Sequence, residues 1–134
     1  MNVIFQKLNL KAQKEILVVN APVWFEPVLA DLEGVTVKRD PSQVEGIDFC
    51  LVFVEKKAEL DRVSALIAPK ARGDAILWFA YPKGTSKKYH CDFNRDNGWE
   101  VLMGFGFRPI RQVAIDEDWS ALRFRRLEFV KGGK

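Results

Sequence analysis

Apolar residues in this chain fall into short continuous runs, separated by glycine, proline and acidic residues, rather than into long alternations. Glu15-Ile16-Leu17-Val18-Val19-Asn20 is the first run and has the look of a strand covered on both faces. Ala21-Pro22 breaks it, and residues 25–33 predict a short helix with Pro27 in its first turn and Gly34 as its stop. Val35-Thr36-Val37-Lys38 predicts a second strand ended by Asp40-Pro41, and residues 47–54, β-branched and aromatic, a third. Residues 57–68 predict a helix with Leu60, Val63, Leu66 and Ile67 on one face and Pro69 as terminator. Arg72-Gly73-Asp74 reads as a turn into a fourth strand, Ala75-Ile76-Leu77-Trp78-Phe79-Ala80, the most hydrophobic of the chain. Residues 97–104 predict a helix capped by Asp96 or Asn97. Two last strands, 109–115 and 119–129, are joined by Asp116-Glu117-Asp118, a connection so short that it demands an antiparallel hairpin. In the second arm Leu122 and Phe124 alternate with Arg123 and Arg125, then the phase slips at Arg126, which calls for a bulge near Arg125. Residues 1–12, with Ile4, Phe5, Leu8 and Leu10, predict a short helix or an ordered arm, and residues 131–134 a frayed end.

Alternating strands and helices that close on a hairpin predict a three-layer, Rossmann-like α/β fold: a mostly parallel six-stranded sheet in the order 2-1-3-4-6-5, its last strand antiparallel. That is the layout of a shortened class I methyltransferase-like fold. It brings the ends of strands one, three and four and the hairpin turn to one edge. Residues 20–22, 55–56, 83–88 and 116–120 become neighbours there. Right-handed crossovers place the second and third helices on one face, leaving the first helix and the N-terminal arm to cover the other.

At 134 residues, 48% hydrophobic and 29% charged, the chain fits one ordinary domain, residues 1–134, with no need of staples. Its apolar runs are strand-length, which excludes a membrane span, and no secretory leader is legible. Cys50 in a buried strand and Cys91 in a polar loop read as reduced thiols, so a cytoplasmic protein is expected. A net charge of +3 is too small to imply nucleic acid. The charges are unevenly spread, however, and one concentration changes the picture.

That concentration is the loop Tyr81-Pro82-Lys83-Gly84-Thr85-Ser86-Lys87-Lys88-Tyr89, which follows the fourth strand at the edge where open α/β sheets bind ligands. Lys83 and Lys87 supply charge, Thr85 and Ser86 hydroxyls, and Gly84 frees backbone N–H groups: together, an anion cradle. The same composition also suits a solvated loop that keeps the protein soluble. Arg95 could add an orienting fork or pair with Asp92 or Asp96, and Asn20 a neutral polar contact from strand one. The expected ligand set is therefore Asn20, Lys83, Gly84, Thr85, Ser86, Lys87 and Arg95. No catalytic constellation is legible: His90 is the lone histidine, and no serine or cysteine has a triad partner. Nor is there a metal pattern, because adjacent carboxylates in the 116–118 turn point apart. A methyltransferase needs a glycine-rich turn after strand one and an acid closing strand two. The turn here has no glycine, Pro22 lacks an N–H, and only Asp40 lies near strand two, so no cofactor is expected. Three functions follow in order: a small-anion or nucleotide-like binding module; a homodimeric or protein-interaction module using a partly bare sheet face; a degenerate methyltransferase-like protein.

Several motifs are familiar as a set: Leu8-Asn9-Leu10-Lys11, Ile16-Leu17-Val18-Val19-Asn20-Ala21-Pro22, Trp78-Phe79-Ala80-Tyr81-Pro82-Lys83, Arg95-Asp96-Asn97-Gly98-Trp99 and Asp116-Glu117-Asp118-Trp119-Ser120-Ala121-Leu122-Arg123-Phe124-Arg125. Together they resemble a family of small, uncharacterised bacterial proteins carrying a domain of unknown function. The resemblance implies a bacterial, single-domain, cytoplasmic protein and brings no activity, substrate or cofactor with it.

Overall fold

In the computed structural model, which describes residues 3–130, the apolar runs become strands β1 (Glu15–Val19), β2 (Thr36–Lys38), β3 (Ile47–Phe53), β4 (Ala71–Pro82), β5 (Phe107–Ala114) and β6 (Trp119–Arg126). They form a six-stranded sheet in the order β2-β1-β3-β4-β6-β5. Its β1–β2, β1–β3 and β3–β4 pairs are parallel, and β4–β6 and β5–β6 antiparallel, as the sequence pattern required. Among the described residues four helices flank it: α1 (Val3–Lys7), α2 (Glu26–Ala30, preceded by a 3-10 turn Val23–Phe25), α3 (Lys57–Ile67) and α4 (Glu100–Gly104). The frayed tail expected at 131–134 lies outside the described residues.

Two apolar layers divide these helices as the handedness rule predicts. Leu60, Val63 and Ile67 of α3 and Leu102 of α4 pack with Leu77, Phe79, Tyr81, Leu122 and Phe124 on one face. Phe5 of α1, Leu8, Leu10 and, from α2 and its leading turn, Phe25 and Leu29 pack with Ile76, Trp78 and Ala121 on the other. The second face is not bare above β4. Trp78 is fully buried there, and its indole N–H donates to Leu8 O at 2.7 Å, which fixes the N-terminal arm across the sheet.

Local details depart from the sequence reading in four places. On α3 the buried set is Leu60, Val63, Ser64 and Ile67, whereas Leu66 is 44% exposed, because at 3.6 residues per turn position 66 lies well off the line through 60, 63 and 67. Arg72-Gly73-Asp74 is not a turn but a bulged start of β4, between the pairs Ile47↔Ala71 and Phe49↔Ile76. Arginines hold it extended: Arg72 pairs with Asp48, Arg125 grips Asp74 through two bonds of 2.8 and 2.6 Å, and Arg126 donates to Gly73 O and Ala71 O. Those contacts assign Arg125 and Arg126 to scaffolding. The hairpin bulge falls on β5, where Ile110 is the extra residue between Pro109 and Arg111, and not at Arg125; the phase slip at Arg126 is simply where β6 ends and the 3-10 turn Leu127–Phe129 begins. Finally, α4 starts only at Glu100, and neither Asp96 nor Asn97 caps it. Asn94 Oδ1 takes the N–H groups of Asp96 and Asn97 first, and Gly98 at φ +110° cannot belong to a right-handed helix.

Candidate ligand-binding site

Parallel pairing of β1, β3 and β4 brings their carboxyl ends to one edge, and the pair Pro82↔Trp119 brings the start of β6 to the same edge. The loop after β4 is tied to the hairpin turn directly. Lys83 N–H donates to Asp118 O at 2.8 Å, and Ser86 Oγ donates to Asp118 Oδ1 at 2.9 Å. The 116–118 turn is built as aspartate chemistry dictates, with Asp116 Oδ1 accepting from Asp118 and Trp119 N–H at 2.8 Å each. Residues 84 and 118 are thus close in space.

A cavity of ≈ 510 Å³ opens beside this loop. Tyr81, Ser120 and Gln112 line it from the sheet side, Lys83, Gly84, Thr85 and Ser86 from the loop, and Tyr89, His90, Cys91, Phe93 and Arg95 from the segment that follows. Five of the seven residues singled out in the sequence therefore meet at one cavity. Lys87 is exposed and does not line it. Asn20 is also elsewhere: at φ +61° it closes β1 and spends its amide on Phe53 O at 3.3 Å and Glu59 Oε2 at 3.0 Å. Arg62 and then Asn20 hold the Glu59 carboxyl below its ordinary range.

The loop uses much of its own hydrogen-bonding capacity. Ser86 N–H donates to Lys83 O, and Ser86 Oγ accepts from Lys88 and Tyr89 N–H at 3.3 and 3.2 Å while donating to Asp118. The Ser86 hydroxyl is saturated. Gly84 does not take a positive φ, and in this loop the Lys83 and Ser86 N–H groups are committed to Asp118 O and Lys83 O. Of the expected side chains, Lys83, Thr85 and the Arg95 guanidinium remain for a ligand, and the contact of Arg95 with Asp96 is a loose 3.8 Å between exposed groups.

Tyr81, Phe93 and Cys91 carry roles the sequence reading did not assign. Tyr81 ends the buried face Leu77, Phe79, Tyr81, a period-2 signal that runs one residue past the apolar stretch. Its ring is wedged against Phe93 at 5.8 Å and Trp99 at 5.8 Å. Its hydroxyl is buried with no hydrogen-bond partner among the described residues. Burial pushes the Tyr81 phenol upward, with Arg95 opposing and Cys91 and Asp96 adding to the rise. Burial likewise pushes the Cys91 thiol up. At neutral pH both are protonated donors, neither nucleophile nor base. Among the described residues, no three His, Cys, Asp or Glu side chains gather as a metal site, and no helix is long and apolar enough to cross a membrane.

Comparison with solved structures shows the fold. The chain is similar to a SAM-dependent methyltransferase from Aquifex aeolicus (13% identity, TM-score 0.66, 91% of this chain and 87% of that one) and to the N-methyltransferase NodS from Bradyrhizobium japonicum (13%, 0.57, 90% and 91%). It is also similar to the cyclase SpnF (9%, 0.62, 92% and 78%). No family model matches the chain and no curated protein matches it, so the bacterial origin implied by the motifs rests on resemblance alone. The architecture is that of class I SAM-dependent methyltransferases.

The residues present do not fit SAM. Where a glycine turn would let the cofactor approach, Pro22 offers no N–H and Asn20 is spent. Trp24 stands against Phe53 at 6.2 Å and Trp119 at 6.1 Å, and Tyr89 closes on Trp119 at 5.2 Å, so aromatic rings fill this part of the rim. After β2, the Asp40 carboxylate caps a 3-10 turn by accepting from Ser42 N–H at 2.9 Å.

Proposed function

We propose that this protein is a binding module for a small organic anion, carried on a methyltransferase-like scaffold that does not transfer methyl groups. One observation supports this reading above the others: Lys83 and Arg95 both line a cavity that has no carboxylate among its described lining residues. In a chain with 21 basic and 18 acidic residues, that local imbalance is selective. The fold permits such a role, since fold and chemistry are separable and the structural neighbours include a cyclase as well as methyltransferases.

The test is a thermal-shift series with carboxylates, phosphates and nucleotides. A bound anion at a hundredfold excess over Kd stabilises the native state by about 2.7 kcal/mol. The double variant Lys83→Ala/Arg95→Ala should lose that shift, whereas Lys87→Ala should keep it. Absence of a shift with every anion would sink the reading.

A second reading keeps a specific observation of its own. Among the described residues the outer edge of β5 is unpaired, and Ile110, Phe105 and Phe129 are 37%, 46% and 38% exposed. Such an edge suits association with a second copy. A concentration-dependent dimer in sedimentation equilibrium, dispersed by Ile110→Lys, is its expected signature.

A further inference from the structure

We propose that the ligand is a phosphomonoester on a hydroxylated carbon skeleton, its phosphoryl group held by Lys83, Arg95 and the free backbone N–H groups of Gly84 and Thr85, its hydroxyls by Ser120. This rests on the anion-binding reading above and narrows it by two independent observations.

The first is the turn that follows β4. Ser86 N–H donates to Lys83 O at 3.0 Å, so residues 83–86 form a bonded β-turn. Its central residues, Gly84 and Thr85, both lack a positive φ, which leaves type I as its geometry. Both central N–H groups of such a turn stay out of its own bond, and among the described residues neither finds another partner. Gly84 and Thr85 line the cavity, as do Lys83 and Arg95. Arg95 also acts on the Tyr81 phenol, which brings its charge to the strand end where the turn begins. Adjacent N–H groups, the Thr85 hydroxyl, an ammonium and a guanidinium present more donors than a carboxylate can receive. A phosphomonoester matches them better, with three terminal oxygens and a charge of about −1.5 to −2 at neutral pH.

The second is Ser120, which stands on the β6 face that otherwise gives Leu122 and Phe124 to the core. It is 5% exposed, pairs with Tyr81 across the sheet and lines the cavity. Its hydroxyl has no hydrogen-bond partner among the described residues. The Tyr81 hydroxyl and the Trp119 indole N–H are also unbonded, but those atoms are sealed, and the Ser120 hydroxyl is not. A buried polar residue in a core row, its hydroxyl still open to the cavity, is a donor and acceptor awaiting a partner. Gln112, diagonal to it across the β5–β6 pair, adds an exposed amide at the same cavity. A hydroxylated body such as a pentose satisfies these groups, whereas a plain hydrocarbon would leave Ser120 unmet.

Titration calorimetry on the full chain tests this, with ribose 5-phosphate, AMP, ribose, inorganic phosphate and malonate as probes. We expect ribose 5-phosphate to bind about tenfold more tightly than inorganic phosphate, the worth of a hydrogen bond at its hydroxyls. Phosphate should in turn bind more tightly than malonate, and ribose alone should give no measurable heat. Ser120→Ala removes a hydroxyl that holds nothing in the free protein, so the fold should persist. That variant should bring ribose 5-phosphate close to inorganic phosphate and leave phosphate itself unmoved. Gly84→Pro suits the second position of a type I turn and deletes one N–H, so it should weaken both phosphates several-fold without lowering the melting temperature. Arg95→Gln, on an exposed side chain, should weaken them likewise. No preference for ribose 5-phosphate over phosphate, or equal weakening of the two by Ser120→Ala, would overturn the hydroxyl contact. Malonate binding more tightly than either phosphate would overturn the phosphoryl assignment while leaving the anion-binding module intact. AMP binding more tightly than ribose 5-phosphate would identify a nucleotide, the reverse order a sugar phosphate, and either order keeps the class. No heat from any of the five probes would remove both readings.

Discussion

Gly98 is the residue whose replacement the structure punishes most clearly beside the cavity. Its φ of +110° is one that L side chains rarely adopt, and a Cβ there would meet Phe93 Cβ at 2.7 Å. Neither atom has room to yield, since Phe93 is packed on Tyr81 and Trp99. Gly98→Ala should therefore lose about 1–3 kcal/mol in urea denaturation and shift Trp99 emission as the Phe93 wall moves. Gly84→Ala is the control: a Cβ there meets nothing within 4 Å, and stability should be unchanged. The sequence reading had weighted these glycines the other way. Gly84 stood out because it lies among lysines, while Asn97-Gly98 looked like the entrance to a helix. What decided the matter was Asn94, whose side chain captures the N–H groups of Asp96 and Asn97 and leaves Gly98 to reverse the chain.

Element ends show why helix bodies were legible and their caps were not. The run 57–68 announces α3 through its own periodicity, and α3 forms over Lys57–Ile67. Its N-cap residue is Lys56, which has no capping side chain. The cap comes instead from Asp92, whose Oδ1 accepts from Lys57 N–H, while Asp92 N–H donates to Glu55 O at 3.2 Å. A partner 35 residues away is invisible to any rule that reads neighbouring positions. The contact also serves the site, because it pins the segment carrying Cys91, Phe93 and Arg95 against the end of β3. Asp92→Ala should cost about 1 kcal/mol, as removal of a capping side chain does, and Asp92→Asn should recover most of it. Chemical denaturation of the two variants side by side checks this. Equal loss in both would mean that charge, rather than the cap bond, holds the segment.

For the molecule as a whole, strand order was readable because continuous apolar runs, short connections and crossover handedness leave few topologies open. The shared rim followed from that order, and five of its seven expected ligand residues came together on it. Lys87 and Asn20 did not, since orientation within a loop and a side chain's preference for a nearby carbonyl are tertiary outcomes. The same scale explains how a methyltransferase architecture can persist without its cofactor. In this chain, residues that would have to leave space for SAM are part of the hydrophobic core: Trp24 joins Phe25, Phe53 and Trp119 in one aromatic cluster. Binding SAM there would require undoing packing that stabilises the fold. Trp24→Ala should accordingly destabilise the protein by about 2–4 kcal/mol, somewhat less than a fully buried tryptophan because Trp24 is only partly covered. It should still not create a cofactor site, since Pro22 and the committed Asn20 amide remain. Calorimetry with millimolar SAM is expected to show no heat of binding for either the parent protein or the variant. Saturable binding to the parent would mean that the aromatic rim opens in solution, and the degenerate methyltransferase reading would then replace the one proposed.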